Sequence, residues 1–116
     1  MIVATDELFA WARAFAVTQA VEVPIYTWAL RAGPLPGRWL KPLAAAFGTS
    51  LVTHPFIFLV LPRVWPGSYG GYVLAAEAVA VGVEAVWLAR FGLRAPLLVS
   101  LLANAASVGV GWLVLA

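Results

Sequence analysis

The chain has 116 residues, 64% of them hydrophobic and only 10% charged, with a formal net charge of +2 and no cysteine. A soluble domain carries about 25% charged residues, so most of this chain's surface is expected to face something other than water. The small, scattered positive charge gives nucleic-acid binding no support, and the missing thiols exclude disulfides, thiolate metal sites and cysteine nucleophiles.

Crossing a bilayer as a helix takes roughly 20 apolar residues, and four stretches supply them, at residues 8–30, 40–61, 72–91 and 95–115. The first is preceded by Asp6 and Glu7 in place of a basic cluster, so it reads as a span and not as a signal peptide. It carries Gln19, Glu22 and Tyr26 at i, i+3 and i+7, on one helix face. Ala32-Gly33-Pro34-Leu35-Pro36-Gly37 then breaks the chain. Pro42 opens the second span, where a missing N–H costs little, and Ser50 and His54 follow at i, i+4 beside Thr49 and Thr53.

The run Pro66-Gly67-Ser68-Tyr69-Gly70-Gly71 separates the second span from the third, in which Glu77 and Glu84 share a face. Gly92 ends the third and Pro96 opens the fourth, where Ser100, Asn104, Ser107 and Gly111 make a narrow stripe. Connections this short force sequence neighbours to run antiparallel. The expected fold is therefore all-α: a polytopic four-transmembrane-helix antiparallel bundle forming a single transmembrane domain over 1–116.

Lys and Arg set the orientation. Arg31, Arg38 and Lys41 flank the first connection, and Arg90 and Arg94 flank the third; Arg13 and Arg63 lie at the other side. This bias places the first and third connections in the cytoplasm and both termini outside. Trp28, Trp39 and Trp87 fall at the inner boundary and Trp11, Trp65 and Trp112 near the outer one, the headgroup levels that indoles prefer. Trp28-Ala29-Leu30-Arg31-Ala32-Gly33 and Trp87-Leu88-Ala89-Arg90-Phe91-Gly92 also resemble each other. They read either as a duplicated helical hairpin or as two similar cytoplasmic helix exits.

A charge exposed to lipid costs a few kcal/mol on insertion scales, so the polar stripes are expected to turn toward one another. Helical rise sorts them by depth. His54 and Glu77 lie roughly 10 Å from the outer ends of their spans, and Glu22 and Glu84 roughly 10 Å from the inner ends. The expected pairs are His54 with Glu77 and Glu22 with Glu84, with Asn104 and Ser50 between the layers. Pro24 and Pro55 each remove a backbone donor, freeing the carbonyls of Ala20 and Leu51 near these groups.

Glu22, His54, Glu77, Glu84, Asn104 and Ser50 thus form a candidate intramembrane polar site. Thr53, Ser100 and Ser107 read as packing residues that let helices approach. A single histidine, with no ligand pair at metal-site spacing, argues against a metal, and no cofactor is expected. The remaining uses are binding or translocation of a proton, cation or small polar solute, a structural lock in a non-catalytic subunit or assembly factor, and intramembrane hydrolysis with His54 and a glutamate. Expected partners are the lipid bilayer and a second copy or another membrane protein.

In length, four spans and a membrane-buried glutamate in the first helix (Glu22), the chain resembles the small multidrug-resistance transporters, with Gly109 and Gly111 near its end as a further likeness. His54, Glu77 and Glu84 depart from that pattern, so no residue roles carry over. Glu22-Val23-Pro24, Thr53-His54-Pro55, the paired glutamates of the third helix and Ala103-Asn104-Ala105-Ala106-Ser107 together resemble small uncharacterised bacterial four-helix integral membrane proteins. That resemblance covers most of the chain and implies a multi-pass protein of the bacterial inner (cytoplasmic) membrane.

Overall fold

The computed structural model describes residues 5–115, apart from the side chains at 5–8, 11, 50, 58, 62, 69 and 115. Among the described residues there is no β-strand. The chain forms α1 (Thr5–Ala32), α2 (Leu40–Pro55), a π-helical turn (Phe56–Val60), α3 (Leu61–Val64), α4 (Tyr69–Arg90) and α5 (Pro96–Leu115). The segments from α2 to α3 follow one another without a gap, so the molecule has four rods. α1 packs on α2 and α5, and α4 packs on the same two. The result is a ring in which α1 and α4 face each other across the centre.

α4 starts at Tyr69, ahead of the expected 72, and Gly70 and Gly71 belong to the helix instead of the break. Ser68 explains the difference. Its backbone is extended (φ −71°, ψ 164°) and its hydroxyl accepts from the Gly71 N–H at 3.1 Å, the N-cap arrangement that starts a helix regardless of glycine in the first turn. The Trp65 ring lies over this turn, and a Cβ on Gly71 would meet it at 3.3 Å.

The irregularity expected at Pro55 takes the form of the π turn that follows it. Within that turn the Leu61 N–H bonds back to the Phe56 carbonyl. The next donor in the ladder would be residue 62, a proline without an N–H. The Ile57 carbonyl therefore lacks a helical donor, and the Tyr72 hydroxyl of α4 donates to it at 2.8 Å. Arg63 likewise reaches back to the Leu59 carbonyl.

Apart from the packed end described below, the interior is mostly small or polar, while many large apolar side chains face outward. Its buried positions include Ala45, Ala46, Ala76, Ala80, Ala85 and Ala103, with Thr49, Thr53, Ser100, Asn104, Glu22 and Glu84. Phe47, Leu51, Phe56, Leu74, Val86, Leu98, Leu102 and Leu113 are exposed. Gly70–Arg90 and Pro96–Val114 are each long and apolar enough to cross a membrane, with only 28% and 17% of their most apolar stretches buried. A core helix of a soluble protein would be mostly covered, so this exposure points to membrane association. The other two rods fall short of the same measure. α1 carries Arg13, Gln19, Glu22 and Arg31, and the π turn interrupts the second rod.

The closely packed cluster occupies one end. Tyr26, Leu30, Ala45, Ala46, Leu88, Leu93 and Ala103 fill the space where α1 and α4 end and α2 and α5 begin. Trp87, expected at the inner boundary, packs between helices here. Its indole packs over Gly48, where a Cβ would come within 3.0 Å of the ring, and its N–H donates to the Ala45 carbonyl at 3.0 Å. Trp28 and Trp112, in contrast, are more than two-thirds exposed.

Candidate functional site

Above the packed end the bundle opens into a cavity of about 370 Å³ to which all four rods contribute. Its wall runs from Glu22, Glu84 and Asn104 to Val73, Gly111 and Trp112 near the end of the bundle that holds both chain termini. Thr18, Thr53, His54, Glu77 and Ser107 also face it, and no lysine or arginine does.

Glu84 is the most heavily bonded group. Its Oε1 accepts from the Tyr26 hydroxyl at 2.6 Å and from Asn104 Nδ2 at 2.9 Å, and its Oε2 accepts from the Thr53 hydroxyl at 3.1 Å. One donor comes from each of the other three rods, so this carboxyl ties the whole ring together. Asn104 is itself held by the Ser100 carbonyl at 2.8 Å, and Ser100 reaches across to the Val81 carbonyl of α4 at 3.0 Å.

Glu22 is equally buried but far less supported. Its Oε2 accepts from Ser107 at 2.7 Å, while Oε1 is occluded and has no donor among the described residues. Glu22 and Glu84 both face the same cavity.

Of the residues proposed from the sequence, Glu22, His54, Glu77, Glu84 and Asn104 all line this one cavity; the Ser50 side chain lies outside the described residues. Glu22 bonds Ser107 and Glu84 bonds Tyr26, Thr53 and Asn104, so the two face one cavity through different partners. His54 and Glu77 share the upper wall, where His54 Nε2 lies 3.5 Å from the Thr18 hydroxyl and its ring stands edge-on to Phe15 at 5.2 Å. Asn104 sits in the Glu84 layer, not between two layers. Glu77 also borders a second, apolar groove on the outer side of α4 and α5.

Four participants were not read as site residues. Thr53 and Ser107, expected as packing residues, bond the two glutamates. Tyr26 was placed on the Glu22 face without a partner, and Thr18 was not singled out. A stricter helical reading finds both, since Thr18, Glu22 and Tyr26 follow at successive i, i+4 steps. Gln19, read onto the same face, does not line the cavity, and its amide atoms are occluded without a partner among the described residues.

Among the described residues no three His, Asp or Glu side chains are grouped so as to hold a metal ion. What the arrangement offers is a set of acceptors and hydroxyls around two carboxyls in one cavity. No model of a known protein family matches the chain, and no characterised protein or solved structure matches it.

Proposed function

We propose that the chain is a four-span protein of the bacterial inner membrane, with both termini outside, whose cavity binds or translocates a proton, a cation or a small polar solute. The inverted distribution of apolar and polar residues supports insertion of all four rods. So does the 42 Å long axis, close to the thickness of a bilayer with its headgroups, about 40–45 Å. Arg31, Arg38, Lys41, Arg90 and Arg94 gather at the packed end, which by the positive-inside rule is cytoplasmic. The cavity then opens outward and stops at the cytoplasmic plug of Tyr26, Leu30 and Leu88.

The observation that carries the reading is the Glu22 oxygen, unsupported among the described residues, in the cavity that Glu84 also lines and that no described lysine or arginine lines. A buried polar atom without a partner is costly, and a proton, a cation or a donor-bearing solute would satisfy it. The test is flux in proteoliposomes, with a pH-sensitive or cation-sensitive dye inside and an imposed gradient of protons, sodium or potassium. Flux that disappears in Glu22→Gln and survives in Gln19→Leu is the expected result. Liposomes no leakier than protein-free ones to all three ions would remove the ionic forms of the proposal.

A second reading has its own support. The outer groove between α4 and α5, about 590 Å³, is lined by Ala78, Val81, Gly82, Leu101 and Ala105, and small residues allow another helix to approach closely. A homo-oligomer, or a place as a non-catalytic subunit of a larger complex, would use that face. Intact-complex mass spectrometry from native-membrane nanodiscs distinguishes the two readings, because a stoichiometric foreign partner would displace the autonomous carrier.

A further inference from the structure

The opposite end of the molecule carries a second concave site, independent of the transport reading though it requires the same membrane placement. A groove of about 500 Å³ lies between the end of α1 and the α4–α5 connection. Its walls are Trp28, Ala29, Gly33, Pro34, Arg94 and Val99. The two connections that shape it are fixed by their own hydrogen bonds. The Gly33 and Leu35 N–H groups donate to the Leu30 carbonyl, and the Gly92 and Leu93 N–H groups donate to the carbonyls of Ala89 and Leu88. Gly92 has φ +87°, a conformation glycine adopts without strain, and a Cβ there would touch Pro34 at 3.4 Å.

The groove is polar at one end only. Among the described residues Arg94, which is exposed, is the one charged residue that lines it, together with Gly33 and Pro34 of the facing connection. Ala29 and Val99 lie about one helical turn deeper, roughly 5 Å, and Trp28 flanks them with its indole 70% exposed. The neighbouring Arg31 is already occupied, donating to the Gly37 carbonyl at 2.8 Å and stacking on Trp39 at 3.8 Å. Arg94 has no hydrogen-bond or ion-pair partner among the described residues. The nearest acidic residues along the two helices, Glu22 and Glu84, lie roughly 10 Å or more farther into the bundle by helical rise.

We infer that this groove binds one anionic phospholipid of the cytoplasmic leaflet, its phosphate on the Arg94 guanidinium and an acyl chain along Ala29 and Val99. The charge complementarity selects an anionic headgroup, since the site has a cation with no anion to balance it and guanidinium pairs well with phosphate oxygens. The apolar floor selects a lipid over free phosphate, which would leave the Trp28, Ala29 and Val99 wall uncovered.

Native mass spectrometry of the detergent-purified protein titrated with phosphatidylglycerol or phosphatidylcholine tests this. One phosphatidylglycerol per chain should survive activation that strips phosphatidylcholine. Arg94→Gln should weaken that retention about fivefold, the value of one basic residue near an anionic headgroup. Arg38→Gln, a basic residue outside the groove, should not. Equal losses in the two variants would mean a diffuse field instead of a site and would overturn the proposal. In the unaltered protein, displacement of the lipid by millimolar inorganic phosphate would overturn the role of the acyl chain, and resistance to it would support that role.

Discussion

Glu22 and Glu84 look equivalent in the sequence and are almost equally buried, yet removing them should have very different consequences. Glu84→Ala takes the acceptor from three donors, Tyr26, Asn104 and Thr53. Asn104 keeps the Ser100 carbonyl at 2.8 Å, and a threonine hydroxyl can fall back on its own helix. The Tyr26 hydroxyl, fully buried, has no such recourse. One orphaned donor costs about 1–3 kcal/mol, and each hydrogen bond lost between membrane helices adds about 0.6 kcal/mol. Glu22→Ala removes a single bond, from Ser107, which retains the Asn104 carbonyl at 3.1 Å.

Both substitutions delete the same atoms from buried positions, so that contribution largely cancels in the comparison. Glu84→Ala should then be about 2–4 kcal/mol more destabilising than Glu22→Ala. Reversible unfolding in mixed micelles of increasing SDS content, followed by circular dichroism, measures the difference. Glu84→Gln should recover much of the loss, because its amide oxygen can take the place of Oε1 while its NH₂ donates to the Thr53 hydroxyl. A Glu22→Ala variant as unstable as Glu84→Ala, or more so, would refute the assignment of Glu84 as the bonded hub.

Tyr72→Phe should cost about 1–3 kcal/mol and speed amide exchange across residues 56–60, since the Ile57 carbonyl then has neither a helical nor a side-chain donor. Gly48→Ala puts a methyl 3.0 Å from the Trp87 ring and should cost a further 1–3 kcal/mol, approximately, by overpacking; a Trp87 emission unchanged from the parent would contradict the close contact.

The helices were legible because their information is local: apolar runs, Gly-Pro breaks and a proline near the start of each even-numbered rod. Two boundaries were misread for a reason also present in the sequence. Ser68 overrides Gly70 and Gly71 because a side-chain cap satisfies an N–H that no propensity scale counts. The π turn was half visible at Pro55, but its stabilisation depends on Pro62 and on Tyr72 of another helix, a pairing that periodicity does not encode. In the site, residue type and depth brought the cavity-lining glutamates, His54 and Asn104 into view. Which of them bond was not visible, because Tyr26, Thr53 and Ser107 act through interhelical geometry and carry no unusual residue type to mark them.

The unequal support of the two central carboxyls bears on how so small a protein could hold a functional site at all. In the proposed membrane placement a bilayer supplies no hydrophobic drive to pull apolar helices together, and many of the buried positions are alanine, threonine or serine. Specific adhesion must then come from polar bonds, and Glu84 supplies three of them, one to each neighbouring rod. Because Glu84 holds the ring, Glu22 is not needed for that purpose and can keep an unsatisfied oxygen at the cavity floor. A bundle with only one such glutamate would have to choose between cohesion and a vacant acceptor. With two facing one cavity, one side chain can be mechanically essential while the other keeps the vacant acceptor that the proposed function requires.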